Sequence, residues 1–191
     1  MFDNLQSDEK LISRALDGSE RSWVTLVGRH EGPLYNYCLR MTRNASDAMD
    51  LMQEVFLAVF RNLPSYQGSG VFRPWMMRIA VNKYIDFLRS RDRTPQHNGE
   101  DIDDHADLIT DERELSNPAR DYEQLQLGSE VRKLLLGLPV EQRLVVELKF
   151  FQHFTFEEIG YQLGISSNTV KSRLYAALQK LKDQMEKQHV M

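Results

Sequence analysis

The sequence predicts an all-α protein with two small helical domains joined by a flexible acidic linker, the second domain ending in a helix-turn-helix. Apolar residues recur at helical spacing along most of the 191 residues. No sustained period-2 alternation rich in Val, Ile and Thr is present, so we expect no sheet. An acidic stretch over residues 93–117 interrupts the helical pattern, which indicates two separate helical domains.

The acidic stretch sets the domain boundaries. It contains Pro and Gly and lacks a strong apolar period, so it cannot bury enough surface to fold alone. It is also too long for a structureless loop inside one compact domain. We therefore expect a first domain over 1–92, a linker over 93–117 and a second domain over 118–191.

Turn and capping residues mark the first helices. A helix fits Asp8–Leu16 and is closed by Gly18, after which Ser19 can cap the next helix. Proline lacks a backbone donor, so we expect this helix to break at Pro33 and a third helix to cover Tyr35–Met41.

The segment Asp47–Arg61 is the clearest amphipathic helix in the chain. Its apolar face comprises Ala48, Leu51, Met52, Val55, Phe56, Val59 and Phe60. Leu57 falls among the charged residues of the opposite face. A leucine there is typical of a partner-binding surface, although single exposed apolar residues also occur on any surface. After a loop, we expect a further helix over Pro74–Arg91.

The C-terminal stretch "FTFEEIGYQLGISSNTVKSRL" has the signals of two helices joined by a tight turn. Thr155 and Glu158 have the spacing of a capping box. Gly164 can adopt the left-handed conformation that ends the first helix, and Ser166 can cap the second, expected from Ser167 to about Met185. Earlier helices of this domain are expected to begin at Pro118 and after Pro139.

The second helix of this motif has one apolar face and one polar face. At about 100° per residue, the inward positions are Val170, Leu174, Ala177 and Leu181. Ser172 lies at the centre of the outward face, flanked by Asn168, Tyr175 and Gln179. Lys171 and Arg173 lie to either side, where they can reach phosphates while the central residues approach base edges. The alternative is an ordinary helical hairpin with a solvated basic face.

The formal net charge of −4 hides an uneven distribution of charge. The sequence carries −2 over 1–71, +4 over 72–93, −9 over 94–130, 0 over 131–166 and +3 over 167–191. Nucleic-acid binding depends on local basic patches, so the overall charge does not exclude it.

Several classes of protein are disfavoured by the composition. Cys38 is the single cysteine, so we expect no intrachain disulfide and no thiolate metal cluster. No Gly-rich phosphate loop, HExxH or nucleophile-elbow motif is present, and we expect no enzyme activity, cofactor or metal. No apolar run approaches the roughly 20 residues that span a bilayer, and the N-terminus lacks an export signal, so we expect a cytoplasmic protein.

Two separate motifs carry a family resemblance. The stretch "FTFEEIGYQLGISSNTVKSRL" resembles the promoter-reading helix-turn-helix of bacterial sigma factors, a motif type that many response regulators share. The stretches "DAMDLMQEVFLAVFRNLPSY" and "FRPWMMRIAVNKYIDFLRSR" resemble the second conserved region of the extracytoplasmic-function (ECF) sigma factors. The order of helical domain, linker and helix-turn-helix is also that of the family.

The resemblance implies that the chain binds core RNA polymerase and directs it to promoter DNA. The first domain would recognise and melt the −10 element and the second would read the −35 element. A cognate anti-sigma factor, often membrane-anchored, would hold the protein inactive. The linker would thread channels of the polymerase, although a solvated tether explains its charge equally well.

The resemblance also assigns residues to three surfaces. The polymerase-docking residues are Asp50, Gln53, Glu54 and Leu57. The −10 residues are Tyr66, Phe72, Trp75, Arg78, Asn82, Lys83, Asp86 and Arg89. The −35 residues are Ser167, Asn168, Thr169, Lys171, Ser172, Arg173 and Tyr175. Phe72 and Trp75 would stack on unpaired bases beside a base-cradling loop, although both rings also suit the core.

The sequence departs from the family pattern at one place, and two alternative functions remain open. Many family members carry Arg where this chain has Ala176 and Leu178, so its recognition helix is less basic. A response regulator would need an alternating strand-helix receiver domain, of which residues 1–92 show no sign. A sigma-mimicking decoy for an anti-sigma factor would not need the basic residues of the two DNA-reading surfaces, which this chain retains.

Overall fold

The computed structural model describes residues 6–66, 71–93, 134–135 and 137–189, which fall into two units. The first contains α1 (Asp8–Leu16), α2 (Glu20–Thr42), α3 (Ala45–Asn62), a 3-10 turn (Leu63–Ser65) and α4 (Phe72–Arg93). The second contains α5 (Val140–Val146), a π-helical turn (Glu147–Phe151), α6 (Phe156–Leu163) and α7 (Ser167–His189). No strand occurs in these described ranges, and the all-α prediction is confirmed. The predicted linker and the helix start at Pro118 lie outside them.

The start of the first unit follows the predicted turn chemistry. Helix α1 has the predicted bounds, and Gly18 follows it with φ of 91°. The Ser19 hydroxyl accepts a hydrogen bond from the Ser22 amide at 3.3 Å, which caps α2 as expected. Asp8 then ties the two helices together, because its carboxylate oxygens lie 3.0 Å from the Arg29 guanidinium and 2.8 Å from the His30 ring.

The predicted break at Pro33 is wrong, because α2 continues through this residue to Thr42. A proline inside a helix costs about 3 kcal/mol or more. Leu26, Leu34 and Tyr37 are at most 1% exposed on either side of the proline. Burying each large apolar side chain contributes about 1.5–3 kcal/mol, so the packing of one continuous helix outweighs the cost.

Helices α3 and α4 complete the core of the first unit. The buried face of α3 contains Ala48, Leu51, Met52, Val55 and Val59. Helix α4 begins at Phe72 rather than at the predicted Pro74. Pro74 therefore lies within the first turn, where backbone N–H groups have no intrahelical partner, and it does not interrupt the helix.

The second unit is a helix-turn-helix supported by α5. The Thr155 hydroxyl accepts from the Glu158 amide at 3.2 Å while the Glu158 carboxylate accepts from the Thr155 amide at 2.7 Å. Gly164 is left-handed with φ of 66°, and the Ser166 hydroxyl accepts from the Thr169 amide at 3.1 Å. All three predicted signals are confirmed. Helix α7 continues beyond its predicted end to His189.

Gly160→Ala is expected to destabilise the helix-turn-helix by at least about 1 kcal/mol, because the added methyl overpacks the turn. A Cβ at this position would lie 2.7 Å from the backbone oxygen of Ile165. Amide hydrogen exchange of α6 and α7 should become faster in this variant. Gly28→Ala is the control, since a Cβ there has nothing within 4 Å. Equal exchange in the Gly160 variant and the native chain would show that the turn adapts without cost.

Candidate functional site

The outward face of α3 presents the four predicted polymerase-docking residues together. Asp50, Gln53 and Glu54 are exposed, and Leu57 is 49% exposed. Leu57 is two residues from the fully buried Val59, which places it about 200° around the helix from the core. The structure therefore forms one exposed face from these residues, while their contact with polymerase stays a prediction.

The same side of the first unit carries an aromatic pair that the sequence prediction missed. Phe60, placed on the core face of α3 by periodicity, is 56% exposed, so that placement is wrong. Its ring meets Trp23 edge-on with centroids 5.1 Å apart. The short connection between α2 and α3 brings the start of α2 beside the end of α3, where little else covers the ring. The sequence did contain a signal for this contact. The loop between α2 and α3 is short, and a short loop makes neighbouring helices antiparallel, which brings the start of α2 close to the end of α3.

Helix α4 presents the predicted −10 stripe to solvent. Arg78, Asn82, Asp86 and Arg89 are all exposed, while Val81 of the opposite face is fully buried. Arg89 pairs with Asp86 at 3.2 Å. Both side chains are about two thirds exposed, and such surface pairs are worth about 0–1 kcal/mol, so this ion pair can be exchanged for a phosphate at little cost.

Two ion pairs join the α3 and α4 surfaces. The Lys83 ammonium donates to the Glu54 carboxylate at 2.9 Å, and Arg91 donates to Asp47 at 3.1 Å. The hydrogen bond from Lys83, together with its charge, holds the pKa of Glu54 below the ordinary value. A residue predicted to contact DNA is thus paired with one predicted to contact polymerase.

Lys83→Gln is expected to raise the pKa of Glu54 towards its ordinary value of 4.5, because the main cause of the shift is removed. The lowered pKa means that the pair stabilises the fold above about pH 4.5 and that this contribution is lost as the pH falls through the folded-state pKa. A carboxylate titration followed by nuclear magnetic resonance measures the shift. Arg91→Gln is the matched control. If the pKa of Glu54 rises equally in both variants, the shift comes from the overall positive charge of α4 and not from the contact with Lys83.

An aromatic cluster lies at the start of α4. Phe72 is 1% exposed, with ring centroids 5.1 Å from His30, 5.9 Å from Tyr66 and 5.7 Å from Trp75. The surrounding rings enclose Phe72, which matches the core placement that the sequence also allowed, and its stacking on an unpaired base stays a prediction. Tyr66 and Trp75 are half-buried, with centroids 5.1 Å apart, and retain exposed edges. Positions 67–70 of the predicted base-cradling loop lie outside the described residues.

Burial and nearby charges both affect the pKa of Tyr66. Burial raises the pKa of its hydroxyl, and the carboxylates of Glu9 and Asp8 raise it further. The phenol therefore stays protonated at neutral pH and can donate a hydrogen bond. Its neighbours in α1 show that this helix borders the aromatic cluster.

Helix α7 presents the predicted −35 residues on its outward side. Asn168 and Ser172 are exposed, and Tyr175 is 68% exposed. Lys171 and Arg173 are half-exposed at either side of Ser172. The opposite positions Val170, Leu174 and Ala177 are at most 5% exposed, while Leu181 is half-buried.

Several polar groups at the start of α7 already form hydrogen bonds with each other. The hydroxyls of Thr169 and Ser166 lie 2.8 Å apart within the cap, and Ser167 is half-buried beside them. The Ser172 hydroxyl donates to the Thr169 carbonyl at 3.0 Å. Its lone pairs remain available, so Ser172 is arranged to accept a hydrogen bond rather than to donate one.

Two other kinds of feature are absent from the part of the chain that the structure describes. Within the described ranges, no group of His, Cys, Asp and Glu side chains is arranged to hold a metal ion. None of the helices in those ranges has both the length and the apolar character needed to cross a membrane.

Comparison with known proteins agrees with both units. A family model for sigma-70 region 2 matches residues 26–94, and one for sigma-70 region 4 matches residues 129–181. The ECF RNA polymerase sigma factor SigE of Mycolicibacterium smegmatis is 36% identical over 166 residues, covering 87% of this chain and 62% of that protein. The chain thus spans less than two thirds of that relative. The ECF RNA polymerase sigma factor SigW of Bacillus subtilis is 27% identical, with 93% and 96% covered.

Solved structures share the fold. A structure of CnrH in complex with the cytosolic domain of CnrY superimposes with a TM-score of 0.67 at 24% identity, covering 95% of this chain and 98% of that one. The sigma factor RpoE of Bartonella quintana, solved with the anti-sigma factor NepR, gives 0.59 at 20% identity, covering 80% and 89%. With sigma-70 regions 2 and 4 in this order, and with these ECF relatives, the chain belongs to the extracytoplasmic-function sigma factors of the sigma-70 type.

Proposed function

We propose that this chain is an alternative sigma factor that binds core RNA polymerase and directs transcription initiation at specific promoters. Its domains are then a region 2 domain over 1–92, an acidic linker over 93–117 and a region 4 domain over 118–191. The protein acts in the cytoplasm and has no enzyme activity of its own. Its reading of sequence is divided between α4 at the −10 element and α7 at the −35 element.

One observation carries the proposal: the first unit holds two different surfaces side by side. The α3 face is acidic and apolar, with Glu54 and Leu57 exposed, whereas the α4 stripe is polar and basic. The Glu54–Lys83 ion pair joins them at 2.9 Å. A protein that only bound DNA would need the second surface, and a protein that only bound another protein would need the first. A sigma factor needs both.

We also propose that an anti-sigma factor holds the chain inactive by covering the α3 face. Leu57 and Phe60 are each about half exposed, and Trp23 extends the same apolar surface. Exposed apolar patches of this kind mark protein interaction sites. A partner seated here would exclude polymerase directly.

The decisive experiment is transcription in vitro with core polymerase on a promoter library randomised at both elements, alongside duplex binding by the free chain. We expect selected transcripts from holoenzyme, and holoenzyme binding that weakens with salt as phosphate contacts release counterions. The free chain should bind duplex poorly at about 0.15 M salt, because acidic residues oppose its small basic patches. Tight specific binding by the free chain would favour a response-regulator type, and anti-sigma binding without transcription would favour a decoy.

A further inference from the structure

A carboxylate of α1 is connected to the aromatic cluster at the start of α4 through one histidine. Asp8 lies 2.8 Å from the His30 ring, and because a carboxylate can only accept, the Nε2 atom of His30 donates this hydrogen bond. The His30 ring meets Phe72 edge-on with centroids 5.1 Å apart. The Phe72 centroid lies 5.7 Å from that of Trp75 and 5.9 Å from that of Tyr66. The contacts therefore run from the first turn of α1 to the two half-buried rings that retain exposed edges.

Helix α1 also borders this cluster directly. It packs against the 3-10 turn Leu63–Ser65, after which the chain continues into Tyr66. Burial, and then the charges of Glu9 and Asp8, raise the pKa of the Tyr66 hydroxyl, so the first turn of α1 lies close to that ring. The match to sigma-70 region 2 begins at residue 26, after α1 has ended. A helix outside the matched residues thus supports one side of the aromatic cluster.

The hydrogen bond to Asp8 restricts the His30 ring. A histidine side chain is only 12% exposed here, and a hydrogen bond to one ring nitrogen determines both its tautomer and the orientation of the ring. Aromatic rings in edge-on contact prefer a narrow range of geometries, so a fixed His30 ring limits the orientations open to Phe72. Phe72 is 1% exposed and passes this restriction to its two ring neighbours.

We propose that Asp8 is a positioning residue for the −10 surface, because through His30 and Phe72 it holds the rings of Tyr66 and Trp75 in the orientation that an unpaired base stacks on. This rests on the proposed function, in which the first unit reads the −10 element, and it adds α1 to that function. Asp8 does not touch DNA. A ring that is already held in place loses little side-chain entropy when a base stacks on it, so the restriction raises affinity for the base.

The orientation of the rings can be followed by fluorine nuclear magnetic resonance of the full chain labelled with 5-fluorotryptophan. The chain has two tryptophans, so the Trp75 signal reports on the cluster and the Trp23 signal on the rest of the first unit. Asp8→Ala should shift the Trp75 signal and leave the Trp23 signal in place. The variant should still fold, because Leu11 and Ile12 remain to bury α1 at 0% and 4% exposure.

The effect on function is measured as binding of holoenzyme to a single DNA strand that carries the −10 sequence selected from the promoter library. Asp8→Ala should weaken this binding about 5-fold, the factor that one base–aromatic contact contributes at its weaker end. Affinity for a duplex with the −35 element should not change. Asp8→Asn removes the same charge but keeps an oxygen that accepts from His30, so it should retain native behaviour. Arg29→Gln is a further control, since it removes the other partner of Asp8, 3.0 Å away, and leaves the histidine bond intact.

His30→Gln is a second test of the same connection. Its amide can still donate to Asp8, but no ring meets Phe72, so it should reproduce both effects of Asp8→Ala. An unmoved Trp75 signal in Asp8→Ala, or a shifted signal with native affinity for the strand, would overturn the inference.

Three other outcomes are distinguished by the controls. Equal effects of Asp8→Ala and Arg29→Gln would overturn the inference, because the cause would then be the general attachment of α1. A shift of both tryptophan signals would also overturn it, because the whole unit would have loosened. Equal binding of native holoenzyme to the selected strand and to a scrambled strand would instead overturn the proposed −10 reading, and this failure is recognised in the native chain without any variant.

Discussion

Leu57→Asp is expected to weaken binding of core RNA polymerase at least about 30-fold, which corresponds to about 2 kcal/mol and is typical of an interface hot spot. Leu57 is 49% exposed on the acidic face of α3 and has no place in the core. A carboxylate there would replace an apolar contact and add a charge that must be desolvated on binding. Affinity for fluorescently labelled core enzyme measures the effect, and circular dichroism should show native helical content.

Leu16→Asp provides a closely matched control, since Leu16 is 47% exposed but lies on α1. It should leave the affinity for polymerase within about 0.5 kcal/mol of the native value, as expected for a surface change away from the interface. Native affinity in the Leu57 variant would move the docking face elsewhere. Glu54→Lys is a less clean probe, because the new ammonium would meet Lys83, now 2.9 Å from the Glu54 carboxylate, and would disturb the α4 surface as well.

Replacing Asn168 and Ser172 with alanine is expected to change the preferred −35 sequence while leaving the −10 preference unaltered. Both side chains are exposed at the centre of the outward face of α7. A good base contact discriminates by about 1–3 kcal/mol, so each lost contact should relax specificity roughly 5- to 150-fold at one base pair. Promoter selection by each variant holoenzyme, from a library randomised at both elements, measures the change.

The two residues are expected to affect different bases. The Ser172 hydroxyl donates to the Thr169 carbonyl, so it accepts from a base and favours the amino groups of adenine or cytosine. Asn168 can form two hydrogen bonds with adenine, one through the oxygen and one through the nitrogen of its side-chain amide. Lys171→Ala should weaken all promoters alike, because a phosphate contact carries no base information. A change of −10 preference in the alanine variants would show that the two reading surfaces are wrongly assigned.

The features that could be predicted from the sequence are those whose partners lie within a few residues along the chain. The capping box of Thr155 and Glu158, the left-handed Gly164 and the Ser166 cap were all predicted correctly. Each depends on a hydrogen bond or a backbone angle that the local residues determine by themselves. The outward position of Leu57 follows in the same way, because helical periodicity alone separates it from Val55 and Val59.

The features that only the tertiary structure decided depend on what packs against a side chain from elsewhere in the chain. Periodicity placed Phe60 in the core, yet Trp23 of α2 meets its ring only edge-on and the ring stays 56% exposed. Phe72 has the chemistry of a base-stacking residue, yet rings from His30 and Tyr66 enclose it. Burial and charge pairing are properties of surfaces brought together by folding, and no local pattern of residues contains them.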